Sequence, residues 1–126
     1  MRLNYDGQLV MTSLEVTFRG MSLRVQDIVV DTGSSHTIIC PDFLEEIGIR
    51  YETGDEIYEA YGIGGSVPFY TKRLDQLRLG DYIIKDFVVD VGMLPNNHKG
   101  LLGLDILKEH NFLIDLNRLE LLREPI

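Results

Sequence analysis

The sequence has very little cysteine, positive charge and extended apolar sequence. Cys40 is the only cysteine among 126 residues, so no disulfide can form within the chain, and we expect a cytoplasmic protein. Lysine and arginine together number 12 against 20 aspartates and glutamates, which gives a net charge of −8. A phosphate backbone binds basic surfaces, so we expect no nucleic-acid partner.

Membrane and metal signals are also missing. Apolar runs fall well short of the roughly 20 residues that a membrane-spanning helix needs. The opening stretch MRLNYDGQLV lacks the apolar segment of a signal peptide, so we expect no membrane partner. His36, His98, His110 and Cys40 are scattered without metal-ligand spacing, and we expect no metal and no cofactor. Cys40 has no evident partner that would make it a nucleophile, so we interpret it as a small core residue.

The sequence does contain many short strand patterns, within what we interpret as a single domain over residues 1–126. Apolar residues alternate at Leu14, Val16 and Phe18, which is typical of a strand with one buried face. Glycine-containing turns separate the strands at Asp6-Gly7, Arg19-Gly20 and Gly80-Asp81, and a last pair of strands flanks residues 116–118. Short strands at regular spacing predict a mainly β, barrel-like fold.

Two short helices are predicted among these strands. PDFLEEIG, residues 41–48, has proline at an early helical position, acidic residues near its start and Gly48 available to end it. GLLGLDILKEHN predicts a second helix from Leu104 to His110, with Asn111 as its cap. Asp105 would lie in the first turn of that helix, where an acidic side chain favours the helix dipole.

The stretch IVVDTGSSHTII, residues 28–39, carries the clearest chemical signal. A run of β-branched residues leads to Asp31 and then to a glycine turn at Gly33. This pattern suggests a reactive carboxylate. Acid–base chemistry with carboxylates needs two of them close enough to share one proton. The chain has a single Asp-Thr-Gly, and the nearest echo is VVDVG at residues 88–92.

Three motifs together resemble the retropepsin-like aspartic proteases. VVDTGSSHTII, YGIGG and GLLGLDIL occur in the order of that family's active-site loop, flap and second structural motif, within roughly residues 14–115. The resemblance implies a mainly β, closed-barrel lobe with a glycine-rich flap hairpin and two short helices. It also implies that Asp31 is the acid/base residue, that Thr32 locks two active loops together, and that Gly33 permits a tight turn. Ser34 resembles the residue whose hydroxyl donates to the aspartate, and residues 101–103 resemble the segment that braces the loop.

The glycine-rich stretch from Tyr61 to Gly65 resembles the flap that folds over a bound peptide. The resemblance assigns substrate contacts to the following residues: Ser34, Tyr61, Gly62, Ile63, Gly64 and Gly65. A phosphate-binding loop is one alternative, but it needs a following helix, and residues 66–69 read as extended. An ordinary hairpin without function is the other alternative.

The second aspartate has two candidate positions. Asp90 lies in the internal echo, but Val91 lacks the hydroxyl of Thr32, and Met93 and its neighbours replace the serines. The better candidate is Asp31 of a second copy, since a two-fold homodimer supplies both carboxylates. We therefore expect a homodimeric aspartic endopeptidase acting on extended polypeptide. The alternative is a catalytically inactive retropepsin fold used for dimerisation or peptide binding, and the intact Asp-Thr-Gly-Ser favours the enzyme.

Overall fold

The computed structural model describes residues 1–62 and 65–124, and these fold mainly as β-strands with two short α-helices. The mainly β prediction is therefore confirmed. In chain order the elements are β1 Asn4–Tyr5, β2 Val10–Phe18, β3 Met21–Val30, β4 Ile38–Ile39, α1 Pro41–Leu44, β5 Ile57–Gly62, β6 Gly65–Arg73, β7 Gln76–Leu79, β8 Tyr82–Lys85, β9 Val88–Val91, β10 Gly100–Leu102, α2 Leu104–Leu107, β11 Phe112–Asp115 and β12 Glu120–Arg123.

The longest hairpin, β2–β3, builds much of the core. Its alternating residues Leu14, Val16 and Phe18 are all at least 96% buried, as their period-two spacing predicts. The strands turn at Arg19 and Gly20, both of which have positive φ, so the predicted turn is confirmed. β1 pairs with the start of β2 across the turn at residues 6–9, which confirms the first predicted hairpin as well.

Nine strands follow one another in a single hydrogen-bonded path, and β1 pairs with β2 beside it. The order is β5-β6-β9-β4-β10-β3-β2-β7-β8. β10 lies between β3, to which it is parallel, and β4, to which it is antiparallel. Within the described residues the path does not join β5 to β8, so the closed barrel expected from the sequence is not confirmed.

The two helices end by different means. α1 continues as a single 3-10 turn, Glu45–Ile47, and stops at Gly48, whose φ of 80° is left-handed, as predicted. α2 ends at Leu107 rather than at His110, so the predicted helix was too long. Beyond Leu107 the amides bond irregularly: His110 donates to Ile106, and Asn111, with φ 58°, donates to Lys108. The chain tightens there because it must turn into β11.

β11 and β12 form a separate two-stranded hairpin at the C-terminal side of the fold. Its inner face is buried through Leu121, which is 2% exposed and lies opposite Ile114. On its outer face the paired residues Leu113 and Leu122 are 49% and 38% exposed. Leu121 also exchanges backbone hydrogen bonds with Met1, which fixes the hairpin to the N-terminal segment.

Lys72, near the C-terminal end of β6, forms buried ion pairs. Its side chain is 5% exposed, and its ammonium lies 2.6 Å from Asp55 and 3.0 Å from Glu52. Glu52 Oε1 also forms an ion pair with the Arg19 guanidinium at 2.9 Å. A buried ammonium needs such partners, because an unpaired charge out of water is very costly. The network therefore joins β6 to the loop before β5 and to the β2–β3 turn.

The described residues contain no helix long and apolar enough to cross a membrane.

Candidate active site

Asp31 stands directly after the buried end of β3. The apolar residues Ile28 and Val29 hold this end in the core, and Val30 lies in register with Leu102 of β10. The Asp31 amide donates to the Leu102 carbonyl at 3.0 Å, which continues the parallel ladder by one residue. Asp31 itself is half-buried. The sheet thus delivers one carboxylate to the point where the strand ends.

Two backbone amides shape the turn after Asp31, and one of them orients the carboxylate. The Gly33 amide donates to Asp31 Oδ1 at 2.9 Å, and the Ser34 amide donates to the Asp31 carbonyl at 3.2 Å. A Cβ at Gly33 would lie 3.2 Å from Oδ1, which is tighter than an ordinary contact. Glycine therefore lets the turn close against the carboxylate, while Thr32 and Gly33 stay exposed.

The β10–α2 corner braces this loop, as the resemblance implied. Leu104 donates its amide to the Ser34 carbonyl at 2.8 Å. A Cβ at Gly103 would lie 2.5 Å from the His36 oxygen and 2.9 Å from the Ser34 oxygen. Only a glycine lets the two backbones approach this closely. The bracing prediction for residues 101–103 is confirmed.

Asp105 has a role beyond the one predicted for it. Its carboxylate accepts the Thr37 amide at 2.9 Å and the Thr37 hydroxyl at 2.6 Å, while the Thr37 oxygen accepts the Gly103 amide at 3.1 Å. Asp105 does lie in the first turn of α2, but that helix has no side-chain cap. The assignment to the first helical turn alone was incomplete, because the carboxylate also clamps the far end of the Asp31 loop. Sequence spacing carries no signal for this pair.

Ser34 also differs from its expected contact. Its hydroxyl donates to the His36 carbonyl at 2.7 Å, and a hydroxyl has one proton to donate. The hydrogen bond expected from Ser34 to the Asp31 carboxylate is therefore not made in the single chain. The loop curls against the β10–α2 corner so that the Ser34 hydroxyl bonds the backbone oxygen two residues ahead.

His36 and Asp90, both set aside in the sequence analysis, lie together beside the loop. His36 Nδ1 is 3.3 Å from Asp90 Oδ2, although the histidine side chain is 61% exposed and the aspartate side chain only 6%. Asp90 pairs with Ile38 within the sheet and its amide donates to the Thr37 carbonyl at 3.1 Å. Asp90 is thus packed behind the loop rather than presented on a turn like Asp31.

The hairpin predicted as the flap is present as two paired strands. β5 and β6 pair as far as Gly62 opposite Gly65, with Tyr61 opposite Ser66. Ile63 and Gly64 lie outside the described residues, and the side chains of residues 60–66 are not described either. Substrate contact by Tyr61, Gly62, Ile63, Gly64 and Gly65 therefore stays a prediction.

Within the described residues, no three histidine, cysteine, aspartate or glutamate side chains are grouped to hold a metal ion. One chain supplies one carboxylate on the Asp-Thr-Gly turn, that of Asp31. Fold and site together define a mainly β lobe that presents one carboxylate on an Asp-Thr-Gly turn. The same turn is braced by a Leu-Leu-Gly strand that runs parallel to it.

Comparisons with known proteins agree with this class. Residues 14–106 match the family model described as aspartyl protease. The fold resembles a retropepsin-like aspartic protease from Rickettsia conorii, with a TM-score of 0.65 at 21% identity, covering 94% of this chain and 92% of that one. It also resembles the EIAV protease solved with an inhibitor, with a TM-score of 0.61 at 18% identity, covering 84% and 92%. Comparison with curated proteins gives no match.

The matched segment holds the Asp31 loop, both strands of the glycine hairpin and the Leu-Leu-Gly brace. The chain belongs to the aspartyl protease family, and its fold is retropepsin-like.

Proposed function

We propose that this protein is an aspartic endopeptidase whose active site forms between two copies of the chain, each contributing Asp31. The observation that carries the proposal is the Asp31 turn. The Gly33 amide holds the carboxylate at the end of a buried strand, and the Gly103 corner braces the loop from the adjacent strand. A fold used only as a scaffold has no need for a carboxylate held in this way.

The chemistry follows from bringing two such carboxylates together. Two carboxylates about 3 Å apart cannot both ionise, so they share one proton. The ionised member takes a proton from a water molecule, whose oxygen attacks the peptide carbonyl carbon, while the protonated member gives its proton to the carbonyl oxygen. The proton taken from the water is then available for the leaving nitrogen as the C–N bond breaks. The leaving amine is protonated when the tetrahedral intermediate collapses. The two pKa values belong to the pair rather than to either Asp31.

The outer face of the β11–β12 hairpin supports the presence of a second copy. Leu113 and Leu122 lie opposite one another with their side chains substantially exposed, and Leu116 at the turn is 64% exposed. Exposed apolar side chains that adjoin one another are typical of an interaction surface. The hairpin follows α2, whose first residue is bonded to the catalytic loop. We therefore place the homodimer contact on this face.

The substrate in this proposal is a polypeptide in extended conformation. A peptide adds to the site as a strand, and pockets on either side read alternate side chains. The β5–β6 hairpin covers it as a flap, and its glycines allow close approach of the backbone. This assigns substrate contacts to Ser34 and to residues 61–65.

A catalytically inactive dimerisation or peptide-binding module is the second candidate, since fold alone does not determine function. It predicts that the wild-type protein binds peptides but cleaves none, and that Asp31→Asn binds them equally well.

A subunit-mixing experiment tests the shared site. Asp31→Asn removes the titrating group while nearly conserving its shape, so the pure variant should lose activity by at least about 10²–10⁴-fold. When equal amounts of wild type and variant exchange subunits fully, random pairing gives wild-type, mixed and variant dimers in about a 1:2:1 ratio. Only the first has both carboxylates, so activity should fall to about a quarter of the wild-type value at equal total chain concentration.

Independent sites, one in each chain, would instead leave about half of the activity. A tagged chain must show that exchange is complete, because unexchanged dimers also leave half. Asp81→Asn is the matched control, since it makes the same chemical change at the exposed β7–β8 turn and should leave activity unchanged when mixed. Half of the activity after proven exchange would refute the shared site.

A further inference from the structure

Asp90 is a buried carboxylate that the proposed chemistry does not use. It lies in β9, is 4% exposed, and sits in register with Ile38 of the neighbouring strand β4. Its amide donates to the Thr37 carbonyl, so its backbone is joined directly to the end of the catalytic loop. Its flanking residues Val89 and Val91 are fully apolar and buried. An apolar residue would suit such a position, so the carboxylate needs an explanation.

The titratable groups around Asp90 come from three other elements. His36 of the catalytic loop places Nδ1 3.3 Å from its carboxylate, which makes an ion pair whenever the imidazole is protonated. Tyr58 of β5 has a buried hydroxyl that makes no hydrogen bond of regular geometry among the described residues. It is nevertheless close enough to Asp90 to influence its titration, and Asp105 of α2 acts from a greater distance.

Keeping this carboxylate ionised costs stability. Burial raises the pKa of Asp90, the Tyr58 hydroxyl and the His36 charge lower it in part, and Asp105 raises it further, so that the net shift is upward. A pKa raised by folding means that the folded state prefers the protonated carboxyl. Stability from this group is therefore present at low pH and is lost as the pH rises through the folded pKa. A residue that destabilises the fold at neutral pH is a candidate for a functional role.

A chain of contacts runs from Asp90 to the catalytic aspartate. Asp90 contacts the His36 ring, the His36 carbonyl accepts the Ser34 hydroxyl at 2.7 Å, and the Ser34 amide donates to the Asp31 carbonyl at 3.2 Å. His36 is otherwise largely exposed, so the carboxylate restrains a side chain that solvent would leave free. The orientation of His36 therefore bears directly on the shape of the turn that holds Asp31.

We propose that Asp90 is a positioning residue for the catalytic loop, whose ionised carboxylate holds His36 and through it the Ser34–Asp31 turn. The inference rests on the proposed function, because the loop matters for catalysis only if Asp31 does. Asp90 does not touch the reacting atoms. Its effect is on the placement of Asp31, and misplacement of a catalytic group by a fraction of an ångström lowers the rate of the chemical step.

Four variants test the proposal: Asp90→Asn, His36→Gln, the double variant, and Asp81→Asn as the exposed control. Asp90→Asn should lower kcat by about 10-fold, with little change in KM, at a pH where the Asp90 carboxylate is ionised and the His36 imidazole is protonated. The double variant should cost no more than either single one, because both remove the same contact. The ratio of wild-type to Asp90→Asn kcat should fall toward one at acid pH, where the wild-type carboxyl is itself neutral.

A purely structural role for Asp90 predicts a ratio that is constant with pH, and that result would overturn the proposal, as would additive effects in the double variant. Hydrogen exchange provides a readout without activity. The Ser34 and Leu104 amides, which close and brace the loop, should exchange faster in Asp90→Asn and His36→Gln, and unchanged rates would also refute the proposal. Faster exchange in a protein that cleaves no peptide would sustain the role of Asp90 and reject the protease.

Discussion

Gly103→Ala should strongly lower the proposed peptidase activity through one added methyl group. Gly103 has φ −103° and ψ −174°, an extended conformation that alanine adopts without strain, so the whole effect comes from contact. The new Cβ would lie 2.5 Å from the His36 carbonyl oxygen and 2.9 Å from the Ser34 carbonyl oxygen. Both are backbone atoms of the catalytic loop, so no side-chain rotation can relieve the clash.

The size of the effect follows from the displacement required. The shortest unstrained distance between a carbon atom and a carbonyl oxygen is about 3.3 Å. The loop and the β10–α2 corner must therefore separate by about 0.8 Å. Overpacking of this kind costs about 1–3 kcal/mol of stability, which a typical domain survives. A shift of nearly 1 Å at a catalytic group lowers kcat by about 10- to 100-fold. The fall in kcat should therefore be much larger than the modest loss of stability alone would cause.

Gly48→Ala supplies the comparison. Gly48 has a left-handed φ of 80° and nothing within 4 Å of the new Cβ, so alanine there costs about 1–2 kcal/mol by backbone strain alone. Thermal unfolding and kcat at saturating peptide should be measured for both variants. Gly48→Ala should lose stability and keep its kcat. If Gly103→Ala keeps its kcat as well, the β10–α2 corner does not position Asp31.

Two further predictions concern assembly and pH. Leu113→Asp and Leu122→Asp should give folded chains that sediment as monomers and lose activity, and a persisting active dimer would show that the hairpin face is not the contact. The second concerns Lys72. The pKa of Asp55 is lowered overall, since burial raises it but the Lys72 and backbone hydrogen bonds outweigh that effect, and Lys72 and Arg19 lower the pKa of Glu52. Stability should thus be lost as the pH falls below about 4. In Lys72→Met, the free energy of unfolding measured by urea titration should depend less on pH in this range. An unchanged pH dependence would contradict the network.

Local sequence patterns predicted much of this fold. Alternating apolar residues located the β2–β3 hairpin, and Gly48 located the end of the first helix, because both features depend on neighbours within a few positions. The bracing of the Asp31 loop by residues 101–103 was implied by the resemblance to the retropepsin motifs rather than by any local pattern.

Side-chain partners distant in sequence were not predicted. Thr37 and Asp105 are 68 positions apart, and nothing near either residue indicates that they pair. Asp90 was noticed only as an echo of the catalytic motif, because sequence spacing cannot reveal that β9 and β4 lie side by side. The Ser34 hydroxyl was assigned to the wrong acceptor for a related reason: the curl of the loop, which tertiary packing sets, decides the nearer oxygen.

The parallel pairing of β3 with β10 has a consequence for the order in which the enzyme matures. On the β10 side, Val29 and Val30 pair with Leu101 and Leu102, so a chain still emerging from the ribosome has the Asp-Thr-Gly sequence long before it has the strand that braces it. Closing so long a loop is slow, and the contact forms late in folding. A nascent chain that has not yet reached Leu102 therefore lacks the strand that braces the Asp31 turn.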